Sequence, residues 1–315
     1  MQTILGSTGV IGRYLSQILN QYTDKLRLVS RNPVKVNDSD ETVAADLRDC
    51  DAVLKSVYGS DVVYLTAGIK YDKNIWKDEW PRIMKNVINA CERYNAKLVF
   101  FSNLYAYGKV DGWMSEDTPL NPVSIKGKVR MGIENMLTDE IGKGKLTAAI
   151  VKASDFYGPA SMSVVTELVF NKLSHNKKPL WLGNPGKKHS LTYVKDAALA
   201  TAIVGNNDSA FNQVWHAPTD KNALSGRQII SLAANAFNGN PDFTVIPVWM
   251  LKIIGTFNTI IRENNEMMYQ LENDFLLDSS KFENTFKIFP TSYENGFAVT
   301  AGYMKNGSSS AGLPL

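Results

Sequence analysis

The first dozen residues, MQTILGSTGVIG, constrain the fold more than any other stretch. A short apolar run, Ile4 and Leu5, stops at Gly6; Gly9 and Gly12 follow, and a helical pattern begins at once. Strand, glycine turn and helix in that order make a cradle for a pyrophosphate. Gly6 permits the tight turn, Gly9 lets the backbone approach the phosphates, and Gly12 lets the helix pack on the strand. The helix N-terminus then presents free N–H groups and a partial positive charge to the anion. The spacing is G-x-x-G-x-x-G rather than G-x-G-x-x-G, so the inference rests on the strand-to-helix context and not on the glycines alone. The residues between them, Ser7, Thr8, Val10 and Ile11, belong to the same expected contact loop.

Of the 315 residues 44% are apolar and 21% charged, which allows a sizeable core in one large domain or two lobes. A formal net charge of +3 is too small to argue for nucleic acid or a membrane surface as partner. Cys50 and Cys91 form no C-x-x-C pair, which suits a reducing, cytoplasmic setting. His175, His189 and His216 lack metal-ligand spacing, so no metal is expected. The first strand starts at residue 1 and leaves no room for a signal peptide. The most apolar helix candidate, Val248 to Ile261, is interrupted by Lys252, Gly255, Thr256 and Asn258, too short and polar to span a bilayer.

Leu15, Ile18, Leu19 and Tyr22 repeat with helical period, and Leu26 to Ser30 is a second strand that closes a short βαβ unit. An acidic residue near the end of that strand would bond a ribose 2′-OH and favour NAD. Here the chain reads Ser30-Arg31-Asn32-Pro33, and Arg31 can pair with a 2′-phosphate, which favours NADP over NAD. Thr42 to Ala45, Val62 to Leu65, Lys97 to Ser102 and Thr147 to Val151 read as further strands, and Trp80 to Tyr94 as a helix. Small residues, Thr66-Ala67-Gly68, at the carboxyl end of one strand leave room for a ligand crossing the sheet edge. The alternation predicts an α/β fold, a Rossmann-type doubly wound parallel sheet. After Tyr157-Gly158-Pro159 the pattern changes to a smaller mixed α/β lobe. It carries helices over Ser163–Leu173, Ala197–Val204, Ser225–Phe237 and Val248–Ile261, and short strands at 180–182 and 214–216. The expected division is a dinucleotide-binding domain over 1–158 and a substrate lobe over 159–305, with segments near 190–216 returning to the first domain. A disordered tail is expected over 306–315.

Taken in order, these pieces resemble an extended short-chain dehydrogenase/reductase of the NAD-dependent epimerase/dehydratase type, from about Met1 to about Val299. The carriers are Gly6 to Gly12, Ala45-Asp46-Leu47, Thr66-Ala67-Gly68, Asn86, Phe101 to Gly108, Phe156-Tyr157-Gly158-Pro159 and Leu191 to Asp196. The resemblance implies that Asp46 and Leu47 flank an adenine and that Thr66 to Gly68 line phosphates and ribose. It implies too that Lys152 to Phe156, with Ala153, Ser154 and Phe156 as contacts, pass near a nicotinamide. Asn86 and Ser102 join the cofactor-binding set. Members of this group are monomers or homodimers.

The chemistry of that group uses a serine or threonine after the fifth strand and a Tyr-x-x-x-Lys pair on the next helix. Counted from Pro122 and Glu134, the tyrosine position holds Lys126 and the lysine position Arg130; counted back from Tyr107-Gly108, the serine position holds Asn103. Tyr105 to Lys109 has the spacing of the pair but lies in a stretch with Gly108, Asp111 and Gly112 that opposes a helix, although Tyr105 can project into the cleft. One expectation makes Lys126 the general acid, discharged by neighbouring Lys128 and Arg130, with Asn103 and Ser124 as donors to the substrate oxygen and Lys126 also near the cofactor. It describes an NADP-dependent oxidoreductase acting on a small carbonyl or hydroxyl compound. The alternative is a solvated basic run on a non-catalytic NADP-binding sensor. A nucleotide-sugar epimerase or dehydratase ranks third, because His189 stands where that group tends to carry a phosphate-binding arginine.

Overall fold

The computed structural model describes residues 1–306. The expected disordered tail, beyond Asn306, lies outside the described residues. β1 (Gln2–Leu5) leads through the glycine turn into α1 (Val10–Leu19), and β2 (Leu26–Ser30) and β3 (Glu41–Ala44) follow. Next come α2 (Cys50–Val57), β4 (Val62–Leu65), α3 (Lys73–Tyr94), β5 (Lys97–Asn103) and the two-residue β6 (Trp113–Met114). α4 (Ile125–Gly142) and β7 (Ala148–Ala153) complete this part. α3 begins seven residues before the expected Trp80. Asp72 caps it by accepting from Asn74 N and Ile75 N, and Pro81 lies inside the helix.

The second part runs β8 (Asp155–Tyr157), a π-helical turn Thr166–Phe170 with α5 (Asn171–Ser174), β9 (Leu180–Leu182), β10 (Lys188–His189) and β11 (Leu191–Tyr193). α6 (Val194–Gly205), β12 (Val214–His216), β13 (Leu224–Ser225), α7 (Gly226–Phe237) and β14 (Thr244–Ile246) follow. The single helix expected over 248–261 is two, α8 (Val248–Phe257) and α9 (Thr259–Asn265). Asn258 separates them, its Oδ1 accepting from Ile261 N. A Cβ on Gly255 would lie 3.2 Å from Arg262 Cα, so this glycine lets α9 fold back closely on α8.

Seven parallel strands form the main sheet in the order β12-β7-β5-β4-β1-β2-β3. Helices cover both faces, so β1, β2, β4 and β7 are buried at every residue. Alternate side chains serve opposite cores. Ile4 and Tyr64 pack with α1 and α6, whereas Leu5 and Leu65 pack with α3 and α4. The chain leaves β1 towards β2 and β3, then crosses back to lay β4 on the other side. That reversal opens a crevice beyond the carboxyl ends of β1 and β4, where doubly wound sheets place ligands. A third core, around Phe170, Trp181, Ile230 and Phe297, belongs to the later segments.

Candidate functional site

The three glycines do different work in the crevice. Gly6 has φ +98°, and a Cβ there would lie 2.4 Å from Ala67 Cα. A Cβ on Gly12 would lie 2.6 Å from Gly6 O. Both are therefore required by the backbone itself. Gly9 has an ordinary φ of −68°, and a Cβ there would meet nothing nearer than Gly6 O at 3.6 Å. It is the N-cap of α1, makes no side-chain cap bond, and is exposed beside Thr8. The open space over the first turn of α1 is thus the one an anion could enter. Ser7 Oγ and Ser30 Oγ are buried at this edge with no partner among the described residues, and a Cβ on Gly68 would meet nothing within 4 Å.

Across the crevice Thr66 Oγ1 donates to Gly6 O at 3.3 Å, which ties the two loops together. Asn86 is buried and donates to Leu47 O at 3.0 Å, so it fixes the Asp46–Leu47 loop from behind. The Asp46 carboxyl is held down at about 2 by hydrogen bonds from Arg48, with the charge of Arg31 a smaller contribution. Arg31 is exposed at the end of β2 and forms no ion pair among the described residues.

At the other end, α4 starts at Ser124, whose side chain accepts from Gly127 N. Lys126 is fully buried, and its three donors are spent: on Glu263 O at 2.8 Å, Glu263 Oε2 at 3.0 Å and Glu266 Oε1 at 2.8 Å. This corrects the expected setting of Lys126. Lys128 points to solvent, and the charges touching Lys126 are carboxylates. One turn on, Arg130 is also buried, packed over the rings of Trp76, Trp80 and Phe100 at 4.8, 4.2 and 5.6 Å. Its Nε and Nη1 have no partner among the described residues, and burial pushes its pKa down to about 10.

Asn103 ends β5; its Oδ1 accepts from Tyr105 N at 3.1 Å. Tyr105 stacks on Trp76 at 6.2 Å, and its hydroxyl lies 3.5 Å from that of Tyr71. Burial holds the Tyr105 phenol protonated well above its usual range. Tyr105 and Lys109 lie in a turn, not on one helix face. Ser102 faces inwards, donating to Glu134 Oε1 at 2.7 Å, and Glu134 Oε2 meets Lys152 Nζ at 2.8 Å. Ser154 Oγ donates to Ser190 O at 2.6 Å, Phe156 stacks on Phe101 at 5.8 Å, and Ala153 is buried in β7. His189 is buried, pairs with Asp155 Oδ2 at 3.0 Å and stacks on Phe275.

Glu263 and Glu266 were not singled out in the sequence. They lie more than 130 residues from Lys126, Glu263 within α9 and Glu266 just beyond its end, so no local pattern in the sequence pairs them with it. Among the described residues no group of three or more His, Cys, Asp or Glu could hold a metal ion. No helix of the described residues is long and apolar enough to cross a membrane.

A doubly wound parallel sheet with a glycine cradle at its switch point defines a Rossmann-type fold. The sequence pattern of the NAD dependent epimerase/dehydratase family matches residues 3–215, and the chain belongs to that family. No curated protein matches it. The UDP-glucose 4-epimerase of Thermus thermophilus, in complex with NAD, is similar to this chain with a TM-score of 0.80 and 17% identity over 98% of this chain and 100% of that one. The UDP-glucuronic acid 4-epimerase of Bacillus cereus, also in complex with NAD, has a TM-score of 0.78 and 17% identity, covering 97% and 99%. A double mutant of the dTDP-glucose 4,6-dehydratase of Streptomyces venezuelae, with NAD bound, has a TM-score of 0.79 and 15% identity, covering 97% of each chain. At such identities the likeness is one of fold.

Proposed function

We propose that this chain binds a nicotinamide dinucleotide, NADP in preference to NAD, and catalyses reversible hydride transfer on a small carbonyl or hydroxyl compound. The carrying observation is the cradle. Gly6 and Gly12 are fixed by the backbone, Gly9 leaves the first turn of α1 open, and Ser7 Oγ is buried beside it without a partner. These residues fit a pyrophosphate: backbone N–H groups at a helix start and a spare hydroxyl are donors for its oxygens. Gly6 to Gly12 would hold the pyrophosphate, Asp46 and Leu47 the adenine, and Thr66 to Gly68 the adjoining ribose and phosphate. Asn86 acts through Leu47, and Ser102 through Glu134. Ala153, Ser154 and Phe156 would border the nicotinamide. Arg31 and the spare Ser30 hydroxyl support a 2′-phosphate; the solved structures described above hold NAD, so the preference for NADP rests on these two residues.

The nicotinamide supplies or accepts hydride when bound. Asn103 keeps its amide N–H groups for the substrate oxygen, because only its Oδ1 is engaged. Tyr105, kept protonated by burial, donates a hydrogen bond to this oxygen as charge develops on it, and the proton the oxygen takes up comes from solvent. Lys126 has no hydrogen left to give, and that favours a second reading, a non-catalytic NADP-binding protein. Nucleotide-sugar chemistry is the third: His189 stands in place of an arginine fork, its Nε2 held by Asp155 and only Nδ1 left without a partner among the described residues.

The test is titration with NADPH and NADH, followed by a panel of carbonyl compounds and nucleotide sugars. The proposal expects NADPH to bind more tightly, Arg31→Ala to abolish the difference, and turnover on a carbonyl compound that Tyr105→Phe removes. Equal affinity for both cofactors defeats the Arg31 argument. Tight NADPH binding without turnover on any compound selects the sensor.

A further inference from the structure

We propose that Glu263 and Glu266 are positioning residues which, through Lys126, strap the α8–α9 hairpin across the nicotinamide end of the cleft, and that this strap lifts to admit substrate. The proposal rests on the cofactor reading above for what lies beneath the strap, but the strap itself is defined by geometry. Each carboxylate makes two kinds of contact. Glu263 Oε2 accepts from Lys126 Nζ and from Lys73 N, at 3.0 and 2.7 Å. Glu266 accepts from Lys126 Nζ through Oε1 at 2.8 Å and from Ile125 N through Oε2 at 2.7 Å. Lys73 opens α3 and Ile125 opens α4. Both helices begin at the carboxyl edge of the sheet, after the loops that follow β4 and β5. The two glutamates therefore bridge the mouth of the crevice from one helix N-terminus to the next, and each meets the positive end of a helix dipole as well as an ammonium.

Elsewhere the hairpin is held lightly. In α8, Trp249, Met250, Ile253 and Ile254 face solvent, and among the described side chains of the hairpin Leu251, with half-buried Val248 and Ile261, packs against the core of the second part. Asn265 Nδ2 donates to Leu251 O, which ties α9 to α8 rather than to the sheet. The strong attachment to the first part is the ion cluster on Lys126. Removing one member of such a buried cluster leaves the others uncompensated, so the cluster opens as a unit. Lys126 also lies over the Tyr71 ring at 4.4 Å, and Tyr71 reaches Tyr105. Lifting the strap thus uncovers the phenol pair at the reacting end. In this reading the residue at the usual tyrosine position acts through the strap and does not touch substrate.

The experiment is hydrogen exchange on the full chain, wild type against Lys126→Met and against Glu263→Gln/Glu266→Gln, with NADPH dissociation followed by stopped flow. Exchange over 248–268 is expected to rise at least tenfold in both variants while the main sheet keeps its protection, and NADPH is expected to leave at least tenfold faster. If Lys126→Met does not fold, the double Gln variant, which keeps the side-chain shapes, decides alone. Unchanged exchange over 248–268 overturns the proposal. So does a lowered urea midpoint with an unchanged NADPH off-rate, the mark of a merely structural ion pair. If wild type does not bind NADPH, the functional reading fails, and the exchange data still decide whether the strap exists.

Discussion

Replacing Arg130 by methionine is expected to leave the ligand-free protein as stable as before or more so, although the side chain is buried. The guanidinium sits over Trp76, Trp80 and Phe100 with Nε and Nη1 unpartnered. Burial lowers its pKa from 12.5 to about 10, which corresponds to roughly 3 kcal/mol of penalty on the charged form. Contacts with the three aromatic faces together return about 1–3 kcal/mol when desolvated. Methionine keeps the apolar length, fills the aromatic cage and has no charge to desolvate. The balance for Arg130→Met is therefore between zero and about 2 kcal/mol of stabilisation, the behaviour of buried charges replaced by apolar groups. Urea melts of the ligand-free protein measure it. If the proposed cofactor reading holds, the same variant is expected to bind NADPH at least tenfold more weakly, because it removes the orphaned donors of the residue counted at the lysine position of the Tyr-x-x-x-Lys pair. Destabilisation by more than about 2 kcal/mol, the range of ordinary core truncations, would refute the reasoning by showing that the guanidinium is satisfied in the free protein.

Two other buried groups give contrasting outcomes. Lys152→Met leaves Glu134 buried with only the Ser102 hydroxyl as partner; it is expected to cost about 3–5 kcal/mol in urea melts, and Lys152→Met/Glu134→Gln to recover most of that. His216 is buried between Tyr107 Oη and Asp278 O, and burial lowers its pKa from 6.5 to about 3. The unfolded chain therefore binds a proton that the folded one refuses. The stability involved is fully present above pH 6.5 and falls by up to about 1.4 kcal/mol per unit between pH 6.5 and 3. His216→Gln is expected to flatten that acid limb in melts taken across the range, and an unaltered slope would assign the limb to other groups.

The doubly wound sheet was legible because its signals are local. Ile4-Leu5 before Gly6, the run Val62 to Leu65, and Thr66-Ala67-Gly68 each carry their meaning within a few residues. Boundaries set by long-range partners were not. α3 starts at Lys73 because Asp72 caps it and Glu263 accepts from Lys73 N, a contact 190 residues away. Counting assigns Lys126 and Arg130 to the positions of the Tyr-x-x-x-Lys pair, but their surroundings are set by residues far away in the sequence. Sequence neighbours Lys128 and Arg130 suggested like charges around Lys126, whereas its contacts come from α9 and the residues just after it. The glycine triplet reads as one motif, but only the packing separates Gly6 and Gly12, which the fold needs, from Gly9, which it does not.

That separation allows the most direct test of the central claim, that the cradle holds a dinucleotide. Gly9→Ala places a methyl group in open space at ordinary φ, its nearest contact 3.6 Å away, so the protein is expected to stay within about 1 kcal/mol of wild-type stability, the scale of an altered N-cap. Calorimetric titration with NADPH is expected to show binding to wild type and at least tenfold weaker binding to Gly9→Ala. Equal NADPH affinity in the two proteins, or none in wild type, would contradict the account.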